Sequence, residues 1–168
     1  VIHRLDKPVY GIMVYGKNKR ATEILSNELR QKNIEKTYEA LVEGLPSTKQ
    51  GELRDFVKKY DNNTSRVVNK NTTGAKEAIL NYIVLDSFQR EDRYITRLKI
   101  KLVTGRHHQI RLQCAIHGFP LFGDHKYNER LSRRKTEYDK VLALAAVNLS
   151  FKHPKTNEKL NYKIDADF

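Results

Sequence analysis

Apolar residues first recur at helical spacing between Asn18 and about Asn33, where Ala21, Ile24, Leu25 and Leu29 fall near one face and charged residues occupy the other. Asn18 stands where an N-cap is needed. The period then shortens to two. From Lys36 to Gly44, Tyr38, Ala40 and Val42 point one way and Thr37, Glu39 and Glu43 the other, with Leu41 breaking the alternation. Ala78 to Leu85 is an apolar, partly β-branched run. From Arg93 to Val103, Leu98, Ile100 and Leu102 alternate with Arg97, Lys99 and Lys101, which predicts a strand with one basic face. Thr104-Gly105 ends it, and a second helix is predicted over His107 to His117, with Gly118 as a left-handed C-cap and Pro120 beyond. Val141 to Phe151 and Leu160 to Ile164 read as a strand pair around the turn-rich segment 153–157. Helices and strands do not alternate regularly, so the pattern predicts an α+β fold: a mixed, largely antiparallel β-sheet with packed helices.

At 168 residues the chain has the size of one domain, and its prolines and glycines are scattered rather than gathered into a linker. A single domain over residues 1–168 is therefore expected. No apolar run approaches the roughly 18 residues of a spanning helix. The one cysteine, Cys114, can form no internal disulfide and supplies no zinc framework, which fits a reducing, cytoplasmic setting. Charge changes the picture more. Thirty-two Lys and Arg against 20 Asp and Glu leave a net +12, spread along the chain, and such an excess suits a phosphate backbone because each neutralised phosphate releases counterions.

Two places could carry chemistry. Asp6 lies between Arg4 and Lys7 with a turn at Pro8 to Gly11; on spacing alone such an acid is usually part of a solvated surface pair. The segment from Thr104 to Arg111 gathers Arg106, His107, His108, Gln109 and Arg111 at a predicted helix start, where unpaired amides and the dipole favour an anion. His107, His108, His117 and His125 make a poor metal set, because the adjacent pair should point apart on a helix and no His-Glu-x-x-His frame exists. A Gly-x-Ser-x-Gly elbow and a glycine-rich phosphate loop are both missing, and Cys114 sits on the apolar side of its helix as a structural thiol. Tyr38 is either a core aromatic or a platform for an extruded base.

The segment His3-Arg4-Leu5-Asp6-Lys7-Pro8-Val9-Tyr10-Gly11 resembles the His-Arg-Leu-Asp motif of the RluA-type pseudouridine synthases. Lys36 to Gly44 is similar to their tyrosine-bearing strand, Thr104 to Arg111 continuing through Gly118 to Asp124 to their third motif, and Leu142 to Pro154 to their closing strand. The resemblance implies the pseudouridine synthase fold and isomerisation of a uridine in ribosomal or transfer RNA, with no metal or organic cofactor. It further implies Asp6 as nucleophile, paired with Arg111, and Tyr38 stacked on the flipped base. Arg4, Arg106, His108 and Gln109 would contact RNA. A monomer is expected.

Two departures accompany the likeness. Val9-Tyr10 stands where the family usually has Thr-Ser, and His107 where Thr is common. The family also carries a preceding segment with a Lys-Pro motif, so a truncated catalytic domain is expected. The alternatives are a non-catalytic RNA-binding module and, more remotely, a metal-dependent nuclease, for which no acidic cluster suits magnesium.

Overall fold

The computed structural model describes residues 1–132 and 141–168, without the side chains of Arg130 and Ser132. The first strand, β1, is Tyr10–Gly11, and helix α1 follows over Lys19–Arg30, its N-terminus capped by the Asn18 side chain accepting from the Ala21 amide at 2.9 Å. Strands β2 (Glu35–Glu43), β3 (Gln50–Lys59), β4 (Ser65–Val67), β5 (Lys76–Arg90) and β6 (Arg93–Leu102) come next. Helices α2 (Gln109–Ile116) and α3 (Glu129–Ser132) and strands β7 (Leu144–Lys152) and β8 (Lys159–Lys163) complete the described chain.

The strands form one sheet in the order β1-β7-β2-β6-β5-β3-β4, with β8 also paired to β7. Every pairing is antiparallel except β1 with β7. The sheet is thus mixed and largely antiparallel, as the hydrophobic pattern predicts.

Cross-strand registers place Lys36, Tyr38, Ala40 and Val42 on the face shared by Leu98, Ile100, Leu80 and Tyr82. On β7 the register slips between Thr37 and Tyr38, leaving Val147 unmatched. This bulge keeps Leu149 and Phe151 on the face of Leu144 and Ala146 instead of reversing them. Helices α1 and α2 consequently pack on one face. Leu25 and Leu29 of α1 join Ile2, Ile34, Leu149 and Phe151, while Ile110 and Cys114 of α2 join Tyr38, Leu98, Leu121 and Leu144. A cleft remains between the two clusters. On the opposite face Lys99 is exposed, as the basic alternation of β6 predicts.

Candidate active site

The N-terminal segment crosses this cleft because its apolar residues anchor in both clusters. Ile2 packs with Leu25, Leu5 and Val9 pack beside Tyr38 and Leu144, and the Val9 amide closes a turn on the Asp6 carbonyl at 2.8 Å. Asp6 is left half-buried, facing a cavity of about 790 Å³. Tyr38 and Arg111 line the same cavity, as do Arg4, Arg106 and His108. Further cations at its walls are Arg30, Lys32, Lys36 and Lys101, against the acids Asp6 and Glu35. Lys101 lies 3.6 Å from Glu35, which offsets that acid and leaves the cavity positive.

Burial pushes the Asp6 carboxyl above its ordinary range, and the positive charge of Arg111 opposes the rise. Tyr38 is 6% exposed; burial, helped by the charge of Asp6, pushes its hydroxyl to about 12, so it remains a phenol at neutral pH. Arg111 differs from expectation in its partner. Its Nε and Nη2 donate to Asp124 Oδ2 and Oδ1 at 2.8 and 2.7 Å, a bidentate pair in which Asp124 is 1% exposed. The Asp124 carboxylate also accepts from the amides of Lys126 and Tyr127. Arg111 acts on Asp6 through space. The chain reversal at Gly118, in the left-handed region at φ +88°, brings the Gly123-Asp124 segment back beneath α2.

The third motif also folds differently at its start. Helix α2 begins at Gln109, because His108 adopts the left-handed conformation at φ 53°. His107 and His108 therefore do not point apart: their rings stack at 3.7 Å. Gln109, 3% exposed, accepts from Thr104 Oγ1 and the Arg106 amide and donates to Gln113, so it shapes the loop from inside and does not line the cavity. Arg106 is tethered through its Nε to the Glu77 carbonyl at 2.7 Å. His117 pairs with Asp55 at 3.1 Å, and Cys114 is buried, its thiol pushed up by desolvation. Asp124 and Tyr127 were missed from sequence as site residues. The Gly123-Asp124 pair that closes the third motif signals the first; no local pattern signals the second.

The cleft on one face of the sheet, into which an acid, a phenol and an arginine converge, has positive walls that suit a polyanion. Residues 1–116 match the family described as RNA pseudouridylate synthase. A relative from Aquifex aeolicus named an uncharacterized RNA pseudouridine synthase is 34% identical over 98% of this chain and 52% of its own length. Ribosomal large subunit pseudouridine synthase D of Vibrio cholerae is 33% identical over 96% of this chain and 51% of its own. Among solved structures, human RNA pseudouridylate synthase domain containing 4 superposes with a TM-score of 0.79 at 22% identity, covering 99% of this chain and 70% of that one. The chain belongs to the RNA pseudouridylate synthase family. It spans about half the length of the curated relatives it matches. Among the described residues no helix is long and apolar enough to cross a membrane.

Proposed function

We propose that this chain carries the catalytic site of an RNA pseudouridine synthase acting in the cytoplasm. The reading rests on one observation: Asp6, Tyr38 and Arg111 line a single cavity whose remaining walls are rich in Lys and Arg. In the proposed reaction the N-glycosidic bond of a flipped uridine breaks, the base turns, C1′ bonds to C5, the proton on C5 leaves and N1 takes up a proton, so that the product is an isomer of the substrate. Asp6 supplies the carboxylate near the ribose, either attacking C1′ or removing a neighbouring proton. Arg111 favours its ionised form from a fixed position set by Asp124. Tyr38 offers its ring to the uracil, while Arg4 and Arg106 meet the RNA backbone. No metal or organic cofactor enters this chemistry.

The relatives' names point to large-subunit ribosomal RNA as the first substrate to try. With uridine labelled by tritium at C5, native protein is expected to release tritium, and Asp6→Asn to abolish release while leaving RNA binding largely intact. Full activity in Asp6→Asn would sink the assignment. Because the chain spans half of its relatives, a second reading is an RNA-binding portion of such an enzyme; it predicts binding without tritium release by the native chain.

A further inference from the structure

A chain of hydrogen bonds reaches toward Asp6 from a strand distant in sequence. The Ser65 amide, in β4, can only donate, and its acceptor is the Tyr127 hydroxyl oxygen at 3.0 Å. The hydroxyl keeps one proton to give, and His108 Nδ1, 2.8 Å away, is placed to take it. A neutral imidazole that accepts at Nδ1 carries its proton on Nε2, and Nε2 faces Asp6 Oδ2 at 3.7 Å. The opposite tautomer would turn a lone pair toward a carboxylate. Ser65 fixes the neighbouring ring as well: its Oγ lies 2.8 Å from His107 Nδ1, and His107 Nε2 lies 3.0 Å from Asn63 Oδ1. Burial first, and then the charges of Arg111, His107 and Lys126, pull His108 down to about 3, with Asp124 opposing, so the ring stays neutral.

We propose that Tyr127 and His108 are positioning residues for Asp6, presenting a neutral Nε2–H to Oδ2 and leaving Oδ1 for the ribose. This rests on the reading of Asp6 as the reacting carboxylate. At 3.7 Å the contact is longer than a hydrogen bond, as such contacts often are before substrate tightens a site. A neutral donor suits the place. It favours the ionised carboxylate without adding a second full cation beside Arg111, which would drain the nucleophile of reactivity. The remaining charged groups acting on Asp6 are Arg111, Asp124, Lys126 and His107 when protonated; none of them is altered by removing the Tyr127 hydroxyl.

Tyr127→Phe is the test, since it keeps the ring that packs edge-on against His108 and beneath the Arg111 guanidinium and deletes the hydroxyl, which removes the directing proton together with the acceptor of the Ser65 amide. Nitrogen NMR of the native chain at pH 7 is expected to show His108 as the Nε2–H tautomer. Carboxyl-carbon NMR titration of Asp6 is expected to give an apparent pKa higher by about one unit in Tyr127→Phe, because the carboxylate loses its fixed donor. A structural role for Tyr127 alone would lower the melting temperature and leave that titration unmoved. An Nδ1–H tautomer in the native chain, or an unmoved Asp6 in a folded variant, overturns the proposal; if the variant does not fold, the tautomer decides. Neither result bears on whether Asp6→Asn is active, so the two readings fail separately.

Discussion

At neutral pH two buried imidazoles, His3 and His108, line the cavity of Asp6 without a charge of their own. Burial holds His3 at about 4, with Lys36 adding to the effect, and His108 at about 3, whereas in an unfolded chain both titrate near 6.5. Folding therefore favours their neutral forms. The stability this confers is fully present above pH 6.5 and is lost as pH falls toward the folded values. Asp6 works the other way: its carboxyl is raised, so its ionisation weakens the fold as pH rises through the folded value. Measuring in Asp6→Asn removes that opposition. In that variant, urea unfolding is expected to show about 1 to 2 kcal/mol less stability per histidine at pH 5 than at pH 7. Equal stability at the two pH values would refute it. That Asp6, Tyr38 and Arg111 would face one cavity was legible in the sequence from the motifs that resemble the family's, but the partner of Arg111 was not. Spacing fixes which groups share a motif; the Arg111–Asp124 pair depends on how the chain returns after α2.

The Asp6 segment is fastened by a very short element. Strand β1 pairs Tyr10 with Ala145 and Gly11 with Ala146, in parallel, so the backbone after Asp6 is tied to the sheet within five residues. Gly11 has φ +129°, and a Cβ there would sit 2.3 Å from the Ala146 carbonyl oxygen. Gly11→Ala is expected to cost at least ~2 kcal/mol by chemical denaturation, since it combines backbone strain with a backbone clash. Gly105→Ala, where a Cβ meets nothing within 4 Å, should cost well under half of that in the same assay. Similar losses for both would refute the argument. Burial explains which elements the sequence disclosed. Strand β6 alternates from Arg97 to Lys101 because one face is covered there, whereas β2 loses its alternation at Leu41, which is buried in a separate cluster with Ile95, Phe122 and Ala143; α1 carries a clean apolar stripe. Strand β3 stayed hidden because Asp55 points inward, accepting from Gln113 at 2.7 Å, which breaks the alternation. The polar end of β5, beyond Leu85, is exposed and owes its strand to pairing with β6, a long-range contact that local pattern does not carry.

Over the whole molecule the net charge of +12 is spread across both faces of the sheet, so composition alone does not say where RNA lies. The cavity face makes the stronger case. Lys36 lines the cavity half-buried, desolvation pulls its pKa down, and among the described residues it has no ion-pair partner. A desolvated cation without a partner gains most from a phosphate oxygen. Lys99, on the opposite face of β6, is exposed and already hydrated, and gains little. RNA affinity measured against salt separates the two, because the slope of log K on log salt reports the phosphates neutralised. Lys36→Met is expected to flatten that slope by about one and to weaken binding similarly for different RNA sequences. Lys99→Met is expected to leave the slope where it was. If the two substitutions flatten it equally, RNA binding is a diffuse property of the charge and the cavity has no special claim on the backbone.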